Sequence, residues 1–178
     1  MREVKVVVLG DKGVGKSSLS IRLANDTFIE EIDQEEDYYH RVITVDSTAY
    51  LLQILDTIAI SEPSSMRNGY LRTGTIYILC YSITSKPSLD VLDTLVETIK
   101  INSTGRALCV LVGCKSDLED QRMVSYEEGK AFSDKHNTYF YEASAKLANN
   151  VEEVFTEPLE EFIKIDAAQN PERRNKRK

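Results

Sequence analysis

The chain has 178 residues, of which 42% are hydrophobic, and its formal net charge is −7. This length and apolar content favour one domain with a sizeable core. The acidic balance argues against a general nucleic-acid-binding protein, and no apolar run is long enough to span a membrane.

Apolar, strand-like runs alternate with helix-length segments along the chain. Strands are predicted over Val4–Leu9, Val42–Val45, Tyr50–Leu55, Ile76–Ser82, Ala107–Gly113 and Thr138–Glu142. Helices are predicted over Lys16–Asn25, Met66–Thr73, Pro87–Asn102, Ser125–Lys135 and Asn150–Ile165. The link Asp46–Thr48 is too short for a crossover, so the second and third strands form an antiparallel hairpin. The alternation elsewhere predicts a mostly parallel sheet with helices on both faces.

The first strand leads into Gly10–Ser17, which reads GDKGVGKS and fits the phosphate-binding pattern G-x-x-x-x-G-K-[ST]. Glycines let the backbone curl so that successive N–H groups point at an anion. Lys16 places an ammonium against phosphates, Ser17 offers a hydroxyl to Mg²⁺, and the helix start adds partial positive charge. This segment therefore predicts a site for nucleotide phosphates.

Three later strands end in polar residues at the sheet edge where open α/β sheets bind ligands. Asp56 follows the third strand, where a carboxylate can hold Mg²⁺. Asp117, two residues after Lys115, can accept hydrogen bonds from both N1–H and the amino group of guanine, a donor pair that adenine lacks. The backbone N–H of Ala145 can donate to guanine O6. Together these residues predict a guanine nucleotide as the ligand.

With these motifs the chain resembles the Ras superfamily of small GTPases, most closely its Ras and Rap branch, from Met1 to about Ile165. Further similar segments are Met1–Glu3, Val7–Gly10, Ser65–Arg67, Tyr81–Thr84 and Asp117–Asp120. The resemblance implies an α/β fold of the P-loop NTPase type, with three layers and a six-stranded, mostly parallel sheet with one antiparallel strand. It places this domain over residues 1–166 and leaves residues 167–178 as a basic, disordered tail.

The resemblance also implies which residues bind GTP or GDP with Mg²⁺. The phosphates and Mg²⁺ would be held by Gly13, Val14, Gly15, Lys16, Ser17 and Ser18. Phe28 would flank the base, and Asp56 would hold Mg²⁺ through water, which with Ser17 makes the metal site. The guanosine would be held by Lys115, Asp117, Ser144, Ala145 and Lys146.

The chain departs from the family pattern around the γ-phosphate and in the base motif. Lys12 replaces a glycine and would crowd both the γ-phosphate and an incoming arginine. The first switch, Glu30–His40, is one residue short and lacks the threonine that binds Mg²⁺. In the second switch, Ala59 replaces a glycine and Ile60 replaces the glutamine that orients the attacking water. Cys114 replaces the asparagine of the base motif.

These departures predict a Ras-like guanine-nucleotide-binding protein, acting in signalling or trafficking, with weak or absent hydrolysis and no assigned catalytic residue. Two alternatives remain: a nucleotide-free pseudo-GTPase scaffold and a P-loop nucleoside or nucleotide kinase. Cys114 and Lys12 favour the scaffold, whereas the intact phosphate loop argues against it. The kinase would need an Arg-rich lid that the chain lacks, and it would give Asp117 and Ala145 no purpose.

The surface composition bears on partners and location. The acidic region 30–40 is interpreted either as a solvated loop or as a surface for protein effectors or regulators. The basic tail is interpreted either as a solvated end or as a weak contact with anionic membrane or an import receptor. No cysteine follows Lys115, so no prenyl anchor is expected. The cysteines lack metal-site spacing and favour a reducing, cytoplasmic location. A monomer is expected.

Overall fold

A six-stranded sheet covered by helices on both faces forms the fold. The structure, a computed structural model, describes residues 1–30, 32, 37–61, 67–103 and 107–169. Its strands are β1 (Arg2–Gly10), β2 (Asp37–Val45), β3 (Thr48–Asp56), β4 (Ile76–Ser82), β5 (Leu108–Cys114) and β6 (Tyr139–Ala143). Its helices are α1 (Lys16–Asn25), α2 (Arg67–Thr73), α3 (Lys86–Asp90), α4 (Leu92–Asn102), α5 (Tyr126–His136) and α6 (Val151–Gln169).

The strand order is β2-β3-β1-β4-β5-β6. Only the β2–β3 pair is antiparallel, through a two-residue turn in which Asp46 and Ser47 have left-handed φ angles of 47° and 62°. The other neighbouring pairs are parallel. The predicted α/β class, with five parallel strands and one antiparallel strand, is therefore confirmed.

The strands β1, β3, β4 and β5 are buried on both faces because alternate residues of each strand enter different cores. Val6 and Val8 of β1 pack with α1 and α6 in one core, which contains Leu23 and Phe155. Leu9, next along the strand, joins the second core, which α2 to α5 complete. No helix among the described residues is both long and apolar enough to cross a membrane.

Two predicted helix bounds were wrong. The helix predicted over Pro87–Asn102 is two helices, α3 and α4, which meet at Val91. The break is local, because Val91 keeps a φ angle of −64° and a ψ angle of −22°, which lie in the right-handed helical region. The last helix was predicted to end at Ile165 but continues to Gln169, because Ala167, Ala168 and Gln169 all favour helix. The capping box at Ser125 and Glu128 is confirmed.

A buried histidine joins α4 to α5. His136 is 3% exposed, and its Nε2 lies 2.8 Å from Oδ1 of Asp93 while Nδ1 lies 3.1 Å from Oε1 of Glu97. Hydrogen bonds from Lys135 and His136 lower the pKa of Asp93. The His136 ring thus connects α5 to two carboxylates of α4.

Tyr81 of β4 fills a narrow space between β5 and α5. Its side chain is fully buried, and its hydroxyl has no hydrogen-bond partner in the part of the chain that the structure describes. A Cβ atom added to Gly113 would lie 2.7 Å from this hydroxyl oxygen, and one added to Gly129 would lie 2.4 Å from it. These two glycines therefore leave room for the end of the Tyr81 ring.

Replacing Gly129 by alanine should destabilise the protein, although alanine is the better helix former by about 1 kcal/mol. We expect Gly129→Ala to lower the free energy of unfolding by about 1–3 kcal/mol, because the methyl group overlaps a buried ring that cannot move away. Urea unfolding of the two proteins under identical conditions measures this change.

Gly69→Ala in α2 is the matched control, because, apart from its own stretch of helix, no atom of the described residues lies within 4 Å of the added Cβ. It should leave stability unchanged or raise it. Tyr81→Phe should partly restore the Gly129→Ala variant, since it removes an unpartnered buried hydroxyl. Equal changes in the free energy of unfolding from the two glycine substitutions would contradict the steric explanation.

Candidate functional site

The turn between β1 and α1 has the backbone that an anion site needs. Gly13 and Gly15 have φ angles of 73° and 112°, in the left-handed region that glycine adopts without strain. Gly15 is also the N-cap of α1, so the first N–H groups of that helix lie beside the turn. The local sequence therefore produces the phosphate-loop conformation predicted for Gly10–Ser17.

Lys16 brings a buried positive charge to this turn. Its side chain is 2% exposed, and its ammonium donates to the main-chain oxygen of Asp11 at 3.3 Å. It forms no ion pair with a carboxylate of the described residues. Because a buried ammonium needs compensating negative charge, this position is suited to a bound phosphate.

Ser17 and Asp56, the two residues predicted to hold Mg²⁺, lie close together. Asp56 ends β3 and is 1% exposed. Its carboxylate oxygen Oδ1 has no hydrogen-bond partner among the described residues. Burial raises the pKa of Asp56 to about 6, against the lowering effects of Ser17 and Lys16. A hydroxyl and an unsatisfied carboxylate oxygen are a donor set that fits Mg²⁺.

The loops after β5 and β6 form the other end of the site. We call Ser144–Asn149 the base loop; its ends are joined by two hydrogen bonds between Ser144 and Asn149. The buried Ser144 hydroxyl donates to Oδ1 of Asp117 at 2.6 Å. This bond orients the carboxylate predicted to contact guanine, while its other oxygen stays available.

Two adjacent cavities connect these parts. The cavity at the base end is lined by Phe28, Cys114, Lys115, Asp117, Ala145 and Lys146, among others. The cavity at the phosphate end is lined by Gly13, Lys16, Ser17 and Ile32, among others. Gly15, Ser18, Glu30 and Lys115 line both cavities. The two cavities therefore form one groove along the N-terminal half of α1.

Three predicted site residues, Val14, Ser144 and Asp56, do not line the groove. Val14 is 2% exposed and packs in the core of the α1 face, so it can offer a ligand only its backbone. Ser144 acts through Asp117. Sequence reasoning did not predict that Glu30 and Ile32 line the groove, because their positions depend on the path of the chain after α1.

The start of the second switch, at Ile60 and Ser61, is hydrogen bonded to the phosphate loop. The N–H of Ile60 donates to the carbonyl of Gly10 at 3.1 Å, and the Ser61 hydroxyl donates to Oδ1 of Asp11 at 2.6 Å. The hydrogen bond from Ser61 also lowers the pKa of Asp11. Five of the eleven residues of the predicted acidic region 30–40, residues 31 and 33–36, lie outside the described residues.

Cys114 lies directly beneath the phosphate loop. A Cβ atom on Gly15 would be 3.2 Å from the Cys114 Cβ. The Cys114 thiol donates to the carbonyl of Val112 at 3.9 Å, within its own strand. A hydrogen bond with Cys114, together with burial, raises the pKa of the Cys80 thiol. Cys114 thus occupies the place of the family's asparagine but directs its weak donor elsewhere.

Comparison with known proteins agrees with this geometry. The model of the Ras family matches residues 5–164. The chain is also 42% identical over 157 residues to Ras-like protein 1 of Saccharomyces cerevisiae, an alignment that covers 87% of this chain and 51% of the yeast protein. The chain therefore spans about half the length of this curated relative.

The buried carboxylate of Asp56 should cost stability when no ligand is bound. Its folded pKa of about 6 lies above the ordinary aspartate value of 3.8, so this group makes the folded protein less stable as the pH rises from about 4 to 7. At pH 7, Asp56→Asn should raise the free energy of unfolding of the nucleotide-free, Mg²⁺-free protein by about 1–3 kcal/mol. Urea unfolding at several pH values measures this.

The stabilisation should be largest at pH 7 and nearly absent at pH 4, where Asp56 is protonated in the folded protein. Asp90→Asn, at an exposed residue of α3, is the control and should show no such gain at pH 7. An Asp56→Asn variant that is less stable than the original protein at pH 7 would contradict the burial argument.

Proposed function

The chain belongs to the Ras family of small GTPases, and we propose that it binds GTP and GDP with Mg²⁺ but hydrolyses GTP very slowly. Members of this family bind guanine nucleotides together with protein effectors or regulators. The single observation that carries the proposal is the continuous groove, which has Asp117 at one end and Lys16 at the other. Its shape is suited to a nucleotide lying along α1.

Each part of the groove has a proposed role. The N–H groups of Gly13, Val14 and Gly15, with the Lys16 ammonium and Ser18, hold the phosphates. Ser17 and Asp56 hold Mg²⁺, which when bound neutralises phosphate charge. Guanosine is held by Phe28, Lys115, Asp117, Ser144, Ala145 and Lys146, with Ser144 acting through Asp117.

Slow hydrolysis is supported by the surroundings of the second switch. Ile60 packs its side chain against the core of the α2 to α5 face and cannot hydrogen bond to water. Ala59 is fully buried, so a methyl group occupies the place of the family's glycine. Lys12 is exposed on the phosphate loop, where it would oppose the arginine that activating proteins insert.

The proposed partners are effectors or regulators that bind the acidic region 30–40. Because the first switch lacks its threonine, GTP and GDP should differ little in how they order this region. Binding that depends on surface charge should weaken with added salt. The protein is further proposed to be a cytoplasmic monomer, and its basic tail is proposed to contact anionic membrane weakly.

Calorimetry of the purified protein with each nucleotide tests the ligand. GDP and GTP should bind in the presence of Mg²⁺, and ATP should bind at least tenfold more weakly, because adenine leaves the Asp117 carboxylate unpaired. Lys16→Ala should abolish most of the binding, whereas Lys12→Ala, an exposed lysine of the same loop, should retain it. Equal affinity for ATP and GTP would contradict guanine recognition, and no binding of either would favour the pseudo-GTPase scaffold.

A single-turnover assay tests catalysis. Hydrolysis of bound GTP should be far slower than in family members that retain the switch glutamine, and an arginine-supplying activator should not restore the 10³–10⁵-fold acceleration such proteins give. Ile60→Gln alone should not rescue turnover, because Lys12 and the missing threonine remain. Hydrolysis at the ordinary intrinsic rate of the family would refute the proposal.

A further inference from the structure

Arg22 of α1 connects the helix of the phosphate loop to the base loop. Its side chain is 16% exposed. Its Nε donates to the carbonyl of Ala145 at 2.7 Å, and Nη2 donates to the carbonyl of Lys146 at 3.2 Å. Its Nη1 donates to the carbonyl of Asp26, at the end of α1, at 3.0 Å. One guanidinium thus binds two successive carbonyls of the base loop and the end of the helix.

The base loop is held from its other side by Ser144. The N–H of Leu147 donates to the Ser144 hydroxyl at 3.1 Å. The carbonyl of Lys146 and the N–H of Leu147 belong to one planar peptide group, so Arg22 and Ser144 hold that group at opposite ends. Rotation of this peptide would break both hydrogen bonds.

The N–H groups next to these anchored carbonyls remain available to a ligand. The N–H groups of Ala145 and Lys146 donate to no atom of the described residues, and both residues line the base end of the groove. The planar, forked guanidinium suits this task, because it supplies several donors at fixed angles, which a lysine ammonium does not.

From this geometry we infer that Arg22 is a positioning residue for guanine recognition. It fixes the base loop so that the Ala145 N–H stays directed at O6 of the bound base. The inference rests on the proposed function, since it concerns the same nucleotide. Arg22 lies outside the sequence motifs. Through its hydrogen bonds, α1 forms a rigid connection between the phosphate end and the base end of the groove.

The affinities for three nucleotides distinguish a positioning role of Arg22 from a merely structural one. GDP and IDP carry O6, whereas purine riboside diphosphate lacks it and cannot use the Ala145 N–H. In calorimetry with Mg²⁺, Arg22→Ala should bind GDP and IDP about ten- to hundredfold more weakly than the original protein, by the same factor for both. Its affinity for purine riboside diphosphate should change by less than about twofold.

Two further variants complete the test. Arg41→Ala is the control, because Arg41 also bridges two elements, through Glu152 of α6 at 3.0 Å, but lies outside the groove; it should not change the affinity for GDP. Arg22→Gln retains an amide that can reach only one carbonyl, so it should give an intermediate loss and serves if the alanine variant does not fold.

Two outcomes would overturn the inference. Equal weakening of all three nucleotides would mean that Arg22 only holds α1 in place, and unchanged GDP affinity in both Arg22 variants would mean that the base loop does not need it. Failure of the original protein to bind GDP would instead overturn the proposed function itself.

Discussion

The register of the parallel strands is the constraint on which the site depends. β1 pairs with β3 so that Val8 lies opposite Asp56, and with β4 so that Gly10 lies opposite Cys80. Asp56 therefore lies beside the start of the phosphate loop, within reach of Ser17. The pairing of Cys114 with Ala143 likewise brings the ends of β5 and β6 together. A shift of one residue would reverse the faces of these strands and separate the groups.

The site places two charged groups where the folded chain alone satisfies them poorly. Lys16 is almost completely buried with a backbone carbonyl as its hydrogen-bond partner, and Asp56 is buried with one oxygen unpartnered. Such burial opposes folding. An arrangement of this kind is suited to a ligand that carries negative charge at one point and is accompanied by a cation at another. The same burial that lowers stability would strengthen the attraction to that ligand.

Most of the departures from the family pattern lie in one part of the groove; Cys114, at the base end, is the exception. Ala59, Ile60 and Lys12 all lie around the place expected for the γ-phosphate, while the hydrogen bonds from Ser61 and Ile60 tie the second switch to the phosphate loop. At the base end, the Ser144 hydroxyl orients the carboxylate of Asp117 and accepts a hydrogen bond from the N–H of Leu147, which holds the base loop in place. Binding and hydrolysis depend on different residues, so a chain can retain the first while losing the second.

Periodicity and local motifs were sufficient to predict the six strands, the hairpin and the phosphate loop, because each depends on neighbouring residues. The capping box at Ser125 is an example: its two hydrogen bonds span only three residues. The break at Val91 was missed because the apolar pattern continues through it.

Contacts between distant residues were decided by the tertiary structure alone. Arg22 meets the base loop across more than 120 residues of chain, and His136 meets Asp93 and Glu97 across about 40. Nothing near Arg22 in the sequence distinguishes it from a solvated residue of an amphipathic helix. Its partners are backbone carbonyls, which every residue carries, and only the packing of α1 beside the loop after β6 brings these donors and acceptors together.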